Sequence, residues 1–440
     1  MKKWTNIIPK GSVILAITSF ASYVLGLARD HFFAQTFGAS RPLDAYNAAF
    51  LFPDLLFNIL IAGGITAAFV PILSELLHSD KEKAKEYVNS IITAATGIMF
   101  IIAVIIIIFA NYISVIVAPG FNEADRLLVA KIVRILALSP IFFAASNAIG
   151  AMLITQRRFL FYGMSPVLYN FGIILGTLFL APFFGITGVA VGTVFGAFLH
   201  LLARFGDAWW HGFRFRTAYD FKSAPFRKTI RMMIPKMFGH PIELATFWGF
   251  TAIASMLQPG SVTAISFARN FQSVPISLIG ITIATTSFPL LANAINDNAK
   301  DNFLKTLKNS FLLILLASLL SASIIFLIRD ELISIFLGGG AFESSDIIRT
   351  SAALGVFCLS IPTESLVHLM ARAFYATKNT TIPVVISILG IIIAIPGGYF
   401  MSFHYGLVAL PFAFFLGSAF ELLILLILLP LRLRKINNGH

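Results

Sequence analysis

The chain is short of charge. Only 12% of its 440 residues are Asp, Glu, Lys or Arg, where soluble domains carry about 25%. With 58% hydrophobic residues and runs such as GIMFIIAVIIIIFANYISVIV, that shortage excludes a water-soluble globular protein and marks an all-α polytopic membrane protein. Cysteine is almost absent: Cys358, alone in an apolar run, excludes a disulfide framework and any cysteine-based metal site. No DDxxD-like cluster and no His-based metal pair occurs, and the outer loops are short. These absences argue against a membrane-embedded transferase for polyprenyl substrates, so neither an enzyme nor a cofactor is expected. No clear small-residue cleavage site follows MKKWTNIIPKGSVILAITSF, so this segment reads as the first transmembrane helix rather than a signal peptide.

What is present is a succession of apolar segments of about 20 residues or more, the length a bilayer requires. Twelve spans are expected near 11–35, 43–77, 86–117, 127–154, 160–181, 186–206, 229–257, 261–294, 304–336, 346–375, 382–402 and 407–430. The second and eighth are too long to cross straight, and Pro53, Gly63, Gly64, Pro71, Pro275 and Pro289 allow them to bend. With the N-terminus in the cytosol, twenty-two Lys and Arg fall in cytosolic loops and four (Arg41, Arg126, Arg329, Arg349) outside. That asymmetry places both termini in the cytosol. It also accounts for the net charge of +12, so nucleic acid is not an expected partner.

The two halves resemble each other at a shift of about 220 residues. FVPILSELLHSDKEKAKEYVNS aligns with SFPLLANAINDNAKDNFLKTLKNS, placing Pro71 over Pro289, and PGFNEADRLLVAKIVRILALSP aligns with GAFESSDIIRTSAALGVFCLSIP. Six helices per repeat is an even number, so the repeats insert with the same orientation, as in parallel-repeat transporters. The expected organisation is a six-helix bundle over 1–206, a basic and aromatic cytosolic linker over 207–228, and a second bundle over 229–440.

Ionisable residues inside membrane helices are costly and usually have a job or a partner. Arg29 and Asp30 lie toward the outer end of the first helix; a mutually neutralised pair competes with a cavity-facing cation held by its carboxylate. Arg269 lies about eight residues, roughly 12 Å, into the eighth helix and has no carboxylate near it in sequence, which favours a functional cation. Asp44 opens the second helix, where an N-cap role explains it equally well. Asp54 follows Pro53 deeper in that helix and is a candidate for ion or proton coupling. Glu364, His368 and Arg372 share one face at i, i+4 and i+8, either as a proton relay or as an ion pair with a snorkelling arginine. Glu243 and Glu421 have no assignable partner in the sequence.

GLARDHFFAQTFGAS, DAYNAAFLFPDLL, the Gly-Gly stretch ending AAFVPILSE, VAPGF and ARAFYATKNTTIP resemble the MurJ (MviN) family of lipid II flippases, within the multidrug/oligosaccharidyl-lipid/polysaccharide exporter superfamily. The resemblance spans nearly the whole chain and implies two six-helix bundles around a cationic cavity that export lipid II by alternating access. It implies partners that are lipid II, membrane lipids and cell-wall synthesis proteins. By this resemblance Arg29, Asp30, Asp44 and Arg269 stand at the family's cavity positions. The family's other arginines fall at Tyr23, Phe57 and Asn58, of which Asn58 is kept in the expected substrate-binding set. Asp54, Glu364 and His368 are the candidate coupling groups. An acidic position linked with sodium in some members falls near Phe250, and the eleventh helix has no Asn or Asp, so sodium coupling is not carried over. The two last helices of fourteen-span members have no counterpart here. Arginine suits a pyrophosphate because its planar fork makes bidentate, charge-assisted hydrogen bonds. The competing readings are an exporter of another lipid-linked oligosaccharide, an ion-coupled drug exporter on the same fold, and a non-transporting scaffold.

Overall fold

The computed structural model describes residues 10–62, 65–237, 242–297 and 299–437. Gly63 and Gly64 and the side chain of Glu243 lie outside the described residues. The first helices are α1 (Lys10–Phe37), α2 (Arg41–Phe57), α3 (Ile65–Ser79), α4 (Lys81–Val117), α5 (Glu123–Leu136), α6 (Ser139–Thr155), α7 (Leu160–Leu175), α8 (Ala181–Phe184) and α9 (Ile186–Trp210). They are followed by α10 (Ala224–Met237), α11 (Ile242–Ser255), α12 (Ser261–Pro275), α13 (Thr282–Asn296), α14 (Lys300–Leu327) and α15 (Arg329–Leu337). The chain closes with α16 (Ser344–Phe357), α17 (Ser360–Ala376), α18 (Thr381–Tyr405) and α19 (Ala409–Asn437).

Helices lie at every predicted span. Among the described residues eight helical stretches are long and apolar enough to cross a membrane, and the pair α16–α17, bent by 43°, makes a ninth. The stretch Thr381–Arg434 contains both α18 and α19, which pack against each other.

The sequence repeat reappears as a repeat of irregularities. A π-helical turn at Asn58–Ala62 follows α2, and another at Ile276–Ile281 follows α12. The α5–α6 break near Ala137 has its counterpart at Cys358 between α16 and α17. Proline explains part of this, because Pro53 and Pro275 each remove a backbone donor within about a turn and a half of the start of the π-helical turn.

The chain divides into two compact units, Met1–Phe37 with Arg41–Leu244, and Gly38–Ser40 with Ala245–His440. The first packs Phe69, Leu73, Tyr87, Ile91, Met99 and Met152 into its core; the second packs Leu291, Phe303, Leu369, Phe374 and Leu425. On α4, by contrast, Phe100, Ile101, Ile108 and Tyr112 are exposed, as a lipid-facing surface requires. Asp80 caps the start of α4 by accepting from the backbone N–H groups of Glu82 and Lys83.

Candidate functional site

In the first unit the polar cluster is built on Arg29. Its Nε and Nη2 donate to Asp30 Oδ1 at 3.0 and 2.8 Å, and its Nη1 donates to Asn170 Oδ1 at 3.1 Å. Asn170 is oriented in turn by donating to Pro166 O and Ser22 O, so α7 fixes the acceptor that the arginine of α1 uses. Phe33 lies one turn away, its ring 5.8 Å from the guanidinium carbon. The Arg29 side chain remains 25% exposed while that of Asp30 is 6% exposed. A guanidinium has five N–H donors; this arrangement engages three of them. Sequence placed Asp30 beside Arg29, but Asn170, 141 residues away, is added by the fold.

Asp44 is not an N-cap. It sits inside the first turn of α2, fully buried, with Arg41 Nη1 at 3.8 Å. Arg41 is itself more than an outer-loop charge: its Nε lies 3.5 Å from Asp125, and its guanidinium carbon is 4.5 Å from the Phe121 ring centroid. Asp54 and Asn58 are half-buried where α2 passes into its π-helical turn, and the Asn58 side-chain amide donates to Asp54 O at 2.9 Å. Asp54 forms no ion pair among the described residues.

The second unit treats its cation differently. Arg269 of α12, for which the sequence offers no nearby carboxylate, is paired bidentately with Glu364 of α17, at 2.9 Å to each oxygen. Gln272, fully buried, accepts from Arg269 and donates to Glu364 Oε2 at 3.0 Å and to Ser360 Oγ at 2.7 Å. The rings of Phe247 and Phe414 lie 4.6 and 5.1 Å from the guanidinium carbon. The expected Glu364, His368 and Arg372 stripe is therefore divided. Glu364 faces Arg269, while Arg372 donates to His368 O and to Thr285 Oγ1. His368 is half-buried on the same helix. Phe250, at the position linked with sodium, is fully buried and packs edge-on against Phe247 and Phe414. Such an apolar setting does not fit a sodium ion, which takes oxygen ligands. Among the described residues no group of His, Cys, Asp or Glu is arranged to hold a metal ion.

Sequence reasoning missed the most deeply buried arginine among the described residues. Arg204, assigned with the cytosolic loop charges, is 4% exposed on α9. Its Nε donates to Ser165 Oγ at 2.7 Å, its Nη1 to Ser146 O and Asn147 Oδ1, and the Tyr162 ring lies 4.4 Å from its guanidinium carbon. Among the described residues no carboxylate joins it. Its neighbour His200, one turn away, meets Ser146 Oγ at 2.8 Å; the pair at i and i+4 was the signal available. Glu421 also has a partner, accepting from Ser387.

Comparison with known proteins gives the family of the chain. Residues 33–439 match the family described as "Lipid II flippase MurJ". A protein of Borreliella burgdorferi named "Probable lipid II flippase MurJ" is 28% identical over 404 residues, covering 91% of this chain and 79% of the relative. One of the same name from Aquifex aeolicus is 26% identical over 433 residues, covering 96% and 83%. Among solved structures, one titled "Lipid II flippase MurJ, inward closed conformation" superposes with a TM-score of 0.81 at 24% identity, over 94% of this chain and 87% of that one. An inward-facing multidrug resistance MATE family transporter superposes with a TM-score of 0.78 at 14% identity, over 98% and 99%. The two structural likenesses concern the fold alone.

Proposed function

The chain belongs to the MurJ lipid II flippase family, and from that membership we propose that it moves lipid II from the inner to the outer leaflet of the bacterial inner membrane. Its termini are then cytosolic, and enzymes that consume lipid II on the outer surface are its functional partners. It is a transporter rather than an enzyme. A pyrophosphate and sugar headgroup cannot cross hydrocarbon cheaply, so it needs a polar route through protein.

The observation that carries the residue assignment is the state of Arg29. It is positioned by Asp30 and Asn170, remains partly exposed, and keeps two N–H groups beyond the three already engaged. That is a preorganised donor for a phosphate oxygen, with the adjacent carboxylate limiting the cost of burying the charge. Arg269 is proposed as the corresponding cation of the second unit, where a bound phosphate competes with Glu364 for the same bidentate face. Asp44 and Asn58 complete the substrate-binding set on α2. Of the coupling candidates, Asp54 is the acid without a cationic partner and is assigned the titrating role, with His368 subsidiary to it. Glu364 acts through Arg269.

The test is complementation in a bacterium depleted of its own lipid II flippase. Wild type is expected to restore growth, and Arg29→Ala and Arg269→Ala to lose it at equal membrane expression. Growth restored by both variants overturns the residue assignment. No rescue by a well-inserted wild type overturns lipid II as the cargo.

A further inference from the structure

One cavity of the second unit lies outside everything assigned above. It is a groove of about 590 Å³ between α14, α17 and α19, within the size range of small-ligand sites. Leu304 and Phe311 of α14 form one wall, Leu426 and Leu433 of α19 the other, and Met370 of α17 the floor. The charged side chains lining it are Lys300, Lys308 and Arg434, all cations and all exposed. No carboxylate lines the groove, and none of the three cations forms an ion pair among the described residues.

The arrangement follows from helix periodicity. Lys300, Leu304, Lys308 and Leu312 recur every four residues along one face of α14, and Leu426, Pro430 and Arg434 do so on α19. From Lys300 to Leu312 the groove runs about 18 Å at 1.5 Å per residue, a length suited to an acyl chain. Because α14 begins at Lys300 and α19 ends at Asn437, the cations gather toward one end of both helices. The unpaired amides of the first turn of α14 add positive potential there. An apolar slot with Lys300 and Arg434 at its end and Lys308 about 12 Å along it recognises an amphiphile with an anionic head. A water-soluble anion would leave the slot unused, and an apolar partner would leave three cations desolvated.

We propose that this groove is a binding site for a resident anionic diacyl phospholipid, with an acyl chain along Leu304, Phe311 and Leu433 and its phosphate at Lys300, Lys308 and Arg434. The charge asymmetry assigns this end to the cytosol, so the lipid comes from the cytoplasmic leaflet, and basic pockets between helices on that side bind anionic headgroups. The site is separate from Arg29 and Arg269, and the proposal stands whatever lipid the protein transports.

The full-length protein, purified in mild detergent, is incubated with equal amounts of phosphatidylglycerol and phosphatidylcholine of identical acyl chains, and retained lipid is read by native mass spectrometry. Wild type is expected to retain phosphatidylglycerol at least about tenfold over phosphatidylcholine. The Lys300→Gln, Lys308→Gln, Arg434→Gln triple variant is expected to lose that preference, since each such cation favours an anionic surface by roughly fivefold. Leu304→Trp, which fills the slot and leaves the charges, is expected to lower retention of both lipids, and it decides the matter if the triple variant does not fold. Equal retention of the two lipids by wild type overturns the proposal, as does a preference unchanged in the triple variant or a retention unchanged in Leu304→Trp. Preferential capture of added undecaprenyl pyrophosphate at these same residues assigns the groove to a polyprenyl lipid instead. A dimer that dissociates with Leu304→Trp assigns it to a second copy of the chain.

Discussion

Three arginines inside membrane helices show three solutions to one problem. Arg29 keeps a neighbouring carboxylate and some exposure; Arg269 is neutralised by Glu364 between two phenylalanine rings; Arg204 is held by hydroxyl, amide and carbonyl oxygens. Each solution predicts a different response to mutation. Removing one partner of a buried pair strands the other, at a cost on the order of 3–5 kcal/mol. Arg269→Ala and Glu364→Ala are therefore each expected to lower the thermal midpoint in detergent, and the double variant to lose less than the sum of the two. Additive losses would show that the pair is not energetically coupled. Arg204→Met is expected to reduce thermal stability while transport per folded molecule is retained, measured by lipid II translocation in proteoliposomes. A loss of transport without a loss of stability would move Arg204 into the transport machinery. Asp54→Asn is expected to remove any dependence of transport on a proton gradient in the same assay.

The contact between α7 and α9 belongs to the scale of elements. Gly172 on α7 with Gly176 at the start of the π-helical turn that continues it, and Gly188, Gly192 and Gly196 on α9, are spaced by four, the pattern that lets helix backbones approach closely. The approach is so close that a Cβ on Gly192 would lie 2.5 Å from Gly176 Cα, and one on Gly172 would meet the backbone of Gly196. Backbone cannot rotate away as a side chain can. Gly192→Ala is expected to cost about 1–3 kcal/mol through overpacking, read as a lower thermal midpoint. The control is Gly26→Ala, where nothing lies within 4 Å of the added methyl; equal effects at both positions would refute the packing account. These spacings were visible in the sequence, whereas the pairing of α7 with α9 was not, because a small-residue face does not name its partner.

At the scale of the whole molecule, the charge asymmetry makes a topological prediction. In cells expressing a Cys358→Ser background, single cysteines at Glu123 and Glu343, both exposed, are expected to react with a membrane-impermeant maleimide. Cysteines at Arg216 and Lys305, also exposed, are expected to react only after the membrane is opened. The reverse pattern would invert the protein and place the groove cations on the outer face. The internal repeat belongs to this scale as well. The structure repeats its interruptions, with π-helical turns at Asn58–Ala62 after Pro53 and at Ile276–Ile281 after Pro275. A missing proline N–H acts locally, so each copy of the repeat reproduces it wherever the residue recurs.

Helices at the expected spans and their repeat were legible in the sequence because a bilayer imposes length and apolarity on every span, and both are local properties of the chain. Arg29 with Asp30 was legible for the same reason, since its partner is the next residue. What only the tertiary structure decided is how distant groups satisfy one another. Asn170 reaches Arg29 across 141 positions and Glu364 reaches Arg269 across 95. Arg204 is drawn into the first unit by oxygens of α6 and α7. A cation in hydrocarbon must find acceptors, but hydropathy carries no information about which helix supplies them; that is set by which faces pack together.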